Sequence, residues 1–97
     1  MKLRDVMTVL ESIAPFDTAE EWDNVGLQVG EPGSEIRSVL VALDASFAVI
    51  RGAARSKTDL VITHHPLMLR PLSRLDMSQG VAKKLAMIIR GRMNLVS

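Results

Sequence analysis

Three short apolar runs, separated by two amphipathic stretches, constrain this chain more than any other feature. Residues 36–43 (IRSVLVAL) end in an unbroken apolar run, residues 60–63 (LVIT) form a second, and residues 93–96 (MNLV) begin a third. Runs of this length without polar alternation suit strands buried on both faces, which belong to parallel or mixed sheets. Between the first and second runs, Ser46 can cap a helix through Phe47, Ala48, Val49, Ile50, Ala53 and Ala54. Between the second and third, Val81, Leu85, Ile88 and Ile89 mark another helix, closed by Gly91. Strand, helix, strand is a βαβ unit, whose crossover is right-handed almost without exception. The expected fold class is therefore α/β, a βαβ-containing parallel or mixed sheet covered by helices.

The N-terminal part adds two elements. Leu3, Val6, Met7, Leu10 and Ile13 fall at the spacing of an amphipathic helix, stopped by Pro15. Residues 26–30 then read as a short strand closed by the Glu31-Pro32-Gly33-Ser34 turn. There is no internal repeat, low-complexity tract or linker, so residues 1–97 read as a single α/β segment. A parallel sheet normally continues past a strand such as 93–96 into a loop and a covering helix. With Ser97 as its last residue, the chain is expected to be a truncated, N-terminal part of a larger α/β protein.

Composition excludes several classes of function. Cysteine is absent, which removes disulfides, thiolate zinc sites and thiol catalysis, and suits the cytoplasm. Twelve Lys and Arg against eleven Asp and Glu leave a net charge of +1, with no basic block to neutralise a run of phosphates, so nucleic acid is not an expected partner. The MKLRDVM start offers no apolar signal region, and no apolar stretch approaches the ~18 residues of a membrane span. No Walker loop, dinucleotide glycine motif or serine nucleophile elbow is present. Arg70, Arg74, Lys83 and Lys84 could steer an anion or simply form a solvated helix face and loop.

The chemistry-bearing residues follow the second apolar run. His64 and His65 lie at the carboxyl edge of the expected parallel sheet, where open α/β proteins keep their sites. Pro66 biases His65 toward extended backbone, in which successive side chains point opposite ways. Diverging imidazoles would not easily chelate one ion, but each could hold one ion of a pair ~3.5–4 Å apart. The plainer alternative is a pair of loop histidines that merely hydrogen-bond the backbone. Asp44 ends the preceding apolar run; if the two strands pair, its carboxylate shares the crest and could orient an imidazole or touch substrate. It could equally be a strand-ending helix-cap carboxylate. Trp22, Asp23 and Asn24 form a polar-aromatic cluster before Gly26, read on its own as an anchor with turn chemistry beside it.

Two motifs then give the sequence a family likeness: Trp22-Asp23-Asn24-Val25-Gly26-Leu27-Gln28-Val29-Gly30, and Ile62-Thr63-His64-His65-Pro66-Leu67, with Ala42-Leu43-Asp44 between them. In these it resembles the NGG-interacting-factor-three-like family of dinuclear-metal proteins, often labelled GTP cyclohydrolase 1 type 2, through nearly the whole chain. The resemblance implies that His64 and His65 are ligands of a two-metal site, each favouring a different ion, with water or hydroxide between. It implies further ligands outside this sequence: an aspartate soon after the third apolar strand, and a His and a Glu near the far C-terminus. Asp44 and Asn24 would at most support the ligands or line the pocket. Leu69 stands where the family commonly has Phe, a departure expected to alter only packing.

The function so implied is metal-assisted hydrolysis of a nucleotide-like or other phosphorylated substrate, with two divalent ions per complete subunit. Imidazole plus carboxylate suits zinc, iron, manganese, cobalt or nickel. The resemblance also implies a ring-shaped homo-oligomer, a hexamer. The alternative class is a non-catalytic metal-binding regulator or chaperone acting through protein contacts; a third takes the histidines as incidental and the segment as a packing module. With two ligands, the 97-residue chain alone is expected to bind metal weakly and to be inactive.

Overall fold

The structure is a computed structural model that describes residues 1–14 and 25–97. In chain order its elements are α1 (Leu3–Ile13), β1 (Leu27–Val29), β2 (Val39–Ala42), α2 (Phe47–Arg55), β3 (Leu60–Thr63), α3 (Gly80–Arg90) and β4 (Asn94–Val96). The strands form one mixed sheet in the order β1-β4-β3-β2, with β1 antiparallel to β4 and the other pairings parallel. The α/β class and the strand-helix-strand reading are both realised, since β2, α2 and β3 make the crossover unit and β2 pairs directly with β3.

Alternation along the strands sends side chains to two separate cores. On one face Val61 and Leu95 pack with Ile50 and Ala53 of α2, Ile88 of α3 and Met93. On the other, Leu60 and Val96 pack with Leu3 of α1 and Ile36, flanked by Val6, Met7 and Leu10. The sheet is thus sandwiched between α1 and the α2/α3 pair. Ile13, expected on the apolar face of α1, is instead exposed at the helix end.

The helix ends show why these segments start and stop where they do. At α1 the Leu3 and Arg4 amides donate to the Ser34 and Pro32 carbonyls (2.8 and 2.9 Å), so the turn after β1 satisfies the helix's first donors. The Asp5 carboxylate accepts the Lys2 amide at 3.0 Å. At α2 the Ser46 hydroxyl accepts the Val49 amide at 3.2 Å, the expected cap. Gly91 closes α3, but it is Arg92 that takes the left-handed conformation, at φ 52°. Glycine at 91 eases a close approach, because a Cβ there would sit 3.2 Å from the Met87 carbonyl and 3.1 Å from the end of the Met93 side chain.

The expectation for β2 also fails. The run ending in VLVAL was read as a strand buried on both faces, yet Val39, Val41 and Leu43 are 48%, 72% and 62% exposed. β2 is an edge strand, and α1 lies over β3, β4 and β1 rather than over β2. Its apolar side chains on that face have no covering layer among the described residues.

Candidate functional site

The carboxyl ends of β2 and β3 meet at one crest, and the histidines stand there. His64 donates its amide to the Ala42 carbonyl (3.2 Å) and His65 to the Leu43 carbonyl (3.0 Å). Two consecutive amides bonding to the same neighbouring strand cannot belong to an extended segment, in which they would point opposite ways. The backbone therefore bends after Thr63. The buried Thr63 hydroxyl holds that bend by donating to the His65 carbonyl at 2.8 Å.

This bend corrects the expectation of fully splayed imidazoles. The two rings lie side by side, centroids 4.8 Å apart and planes tilted by 58°. Both residues are exposed, not packed into apolar surroundings.

Asp44 reaches this crest as direct strand pairing requires. Its Oδ1 lies 2.7 Å from His65 Nδ1, with both side chains more than half exposed. A carboxylate accepts only, so in a neutral imidazole the bond places the proton on Nδ1 and leaves Nε2 as the nitrogen with the lone pair. That is the arrangement in which a histidine binds metal while a carboxylate fixes its tautomer and ring orientation. His64 has no such partner among the hydrogen bonds described. Among the described residues no three His, Asp or Glu side chains gather to hold an ion, so the crest offers imidazole nitrogens and one supporting carboxylate. This donor set fits a divalent transition ion at its imidazoles, with the remaining coordination positions to be filled by other groups.

Downstream of Pro66 the chain is tied back to the sheet. Leu67 packs on the α2/α3 core, and the Met68 amide donates to Gln28 Oε1 at 3.3 Å. Thr63 and Gln28 are therefore positioning residues that the sequence reading missed. The signal for Thr63 was its place as the last, β-branched residue before the histidines; the role of Gln28 depends on β1 coming near the loop and had no local signal. Leu69 is exposed. Asn24, with Trp22 and Asp23, lies outside the described residues.

A cavity of about 620 Å³ lies at the opposite end of the sheet, lined by Val29, Glu31, Ile89, Arg92 and Asn94 among others. It is a shallow hollow at the start of β4. Open α/β sheets hold ligands at the carboxyl ends of their strands, so the histidine crest takes precedence as the candidate site. No helix among the described residues is long and apolar enough to cross a membrane.

Comparison with known proteins finds relatives that match the whole chain. The sequence model of the Duf34/NIF3 (NGG1p interacting factor 3) family matches residues 1–97. A GTP cyclohydrolase 1 type 2 homolog of Clostridium perfringens is 38% identical over 97 residues, all of this chain and 37% of that protein. One from Staphylococcus aureus is 37% identical over the whole chain and 26% of its own length. Among solved structures, Staphylococcus aureus protein SA1388 superposes with a TM-score of 0.95 at 37% identity, covering 100% of this chain and 28% of that one. Reduced HcgD from Methanocaldococcus jannaschii gives 0.90 at 38% identity, covering 100% and 39%. The chain thus spans only about a quarter to two fifths of these relatives.

Proposed function

From the premise that this chain belongs to the Duf34/NIF3 family, we propose that His64 and His65 are imidazole ligands in a centre of two divalent ions, part of a metal-dependent hydrolase acting on a nucleotide-like substrate. The observation that carries this reading is the 2.7 Å bond from His65 Nδ1 to Asp44, which in the neutral ring leaves Nε2 available as a ligand. Ring centroids 4.8 Å apart are compatible with one imidazole on each of two ions spaced ~3.5–4 Å. Such a pair, when bound, supplies a water acidic enough to act as hydroxide at neutral pH and polarises the bond to be cleaved. The chain's own part is to hold the two rings by the Thr63 hydroxyl's bond to the His65 carbonyl and by the Ala42 and Leu43 carbonyls, and to keep His65 in one tautomer.

The nucleotide substrate rests on the relatives' names, which speak of GTP cyclohydrolase 1 type 2. From the family resemblance alone, a cytoplasmic, ring-shaped homo-oligomer, a hexamer, is proposed for the whole protein. A second reading, a metal-holding regulator or chaperone without turnover, draws support from the exposed Val41 and Leu43, an apolar surface of the kind used for protein contacts.

The test uses this sequence within a chain of the relatives' length. Elemental analysis should find about two metal equivalents, with His64→Ala and His65→Ala each losing roughly one. Unchanged metal content in both variants refutes the ligand assignment. Metal-loaded and stripped protein are then compared on a nucleotide panel; metal retained with no metal-dependent product selects the regulator over the hydrolase.

A further inference from the structure

Three cations converge on one aromatic ring at the crest end of the helical face, with no ion-pair partner among the described residues. Lys84 Nζ lies 5.0 Å, Lys83 Nζ 5.3 Å and the Arg51 guanidinium carbon 5.9 Å from the centroid of Phe47. The ion pairs among the described residues join Met1 and Lys2 to Glu35, Arg37 to Asp59 and His65 to Asp44. None includes these three cations.

Topology sets this cluster beside the histidines. α2 follows directly on β2, and α3 must run from the crest back to the foot of the sheet, because β4 lies parallel to β3. Both helices therefore begin at the crest, with Phe47 as the first residue of α2 and Lys83 and Lys84 early in α3. Phe47 is three residues from Asp44, so their Cα atoms are at most about 11 Å apart. Neither helix has an acidic residue in its first turn, where one would be stabilising. Arg51 also lines a shallow groove of about 340 Å³ with Ala48, Gly52 and Arg55.

Attraction to the ring face accounts for one cation well, but gathering three leaves their mutual repulsion uncompensated. A polyanion relieves it, and phosphate oxygens suit the clustered guanidinium and ammonium groups. We propose that Phe47, Arg51, Lys83 and Lys84 form a phosphate-binding subsite for a soluble oligophosphate ligand, within reach of the histidine crest. Its use as the substrate's phosphate anchor rests on the hydrolase reading above; the binding itself does not.

Calorimetric titration of metal-stripped protein, with this sequence in a chain of the relatives' length, against inorganic triphosphate and GTP at matched low ionic strength separates the two. Both ligands should bind, and salt should weaken them. Lys83→Met/Lys84→Met keeps the apolar stems over Phe47 and removes two charges. It should raise the dissociation constant about tenfold or more, and Lys83→Arg/Lys84→Arg should restore binding. A purely structural role predicts the reverse pattern, a change in stability with unchanged affinity, and overturns the proposal. So does triphosphate binding no tighter than sulfate. Binding of phosphatidylglycerol vesicles without binding of triphosphate or GTP assigns the charge to a lipid surface and equally overturns it. Because metal is absent throughout, loss of the metal-centre reading leaves this result untouched.

Discussion

Asn94 ties three segments together, and removing its amide should be among the costliest single changes outside the apolar cores. The side chain is 4% exposed. Its Oδ1 accepts the Glu31 amide at 3.1 Å and its Nδ2 donates to the Asp59 carbonyl at 3.0 Å, joining the turn after β1 to the approach to β3. Asn94→Ala deletes both bonds and strands the Glu31 amide, while the Asp59 carbonyl keeps the Asn94 backbone amide at 2.8 Å. Each net bond is worth ~1 kcal/mol and the stranded amide ~1–3 kcal/mol, so the loss is about 2–4 kcal/mol after partial rehydration. A domain of this size has roughly 5–15 kcal/mol in total. Urea unfolding followed by far-UV circular dichroism measures the loss directly.

A second variant isolates the cause. Gly30 has φ +131°, and a Cβ there would run into the Asn94 carboxamide, with Cγ at 2.8 Å. Gly30→Ala should therefore destabilise strongly in the wild-type background. After Asn94→Ala it should cost less, leaving ~1–3 kcal/mol of backbone strain, with a coupling of ~1 kcal/mol or more between the two sites. Additive effects, or a loss below ~0.5 kcal/mol for Asn94→Ala, would refute the reasoning.

Other outcomes follow from the same geometry. Asp44→Asn keeps the shape but loses the charged acceptor at His65 Nδ1, so metal affinity should fall roughly 10–100-fold with stability little changed, read by cobalt titration and thermal melting. Val41→Lys places a charge on a 72% exposed edge position; stability should stay within ~0.5 kcal/mol, and light scattering should show less self-association at high concentration. Asp76 accepts the Ser78 hydroxyl and amide (2.6 and 3.1 Å) and the Gln79 side-chain amide (3.0 Å), and these bonds, Ser78's first, hold its carboxyl below the ordinary 3.8. A depressed folded-state value means the stabilisation is present above pH 3.8 and lost as pH falls through the lower, folded value. The difference in urea midpoint between wild type and Asp76→Asn should accordingly shrink below pH 3.8, and a constant difference would contradict it.

Local pattern made the elements and the crest legible before any coordinates. Period and caps located α1, α2 and α3, and the LVIT run followed by His64-His65 put the candidate ligands at a strand end, because these depend on residues within a few positions of one another. The apolar run of β2 was read as doubly buried since sequence records hydrophobicity but not which neighbours arrive; only strand order made it an edge. The same limit applies to the splayed imidazoles. Period-two alternation holds while backbone stays extended, and bonds from Ala42, Leu43 and Thr63, formed across the strand pair and the bend, ended it. Lys83 and Lys84 read as an ordinary solvated face until helix packing brought them over Phe47, some 36 residues earlier in the chain. What the sequence determined by itself is the set of chemical groups and their local secondary structure. Which groups face each other, which strand is left uncovered and which carboxylate meets which imidazole were decided by long-range packing, where energy depends on distances that no linear spacing encodes.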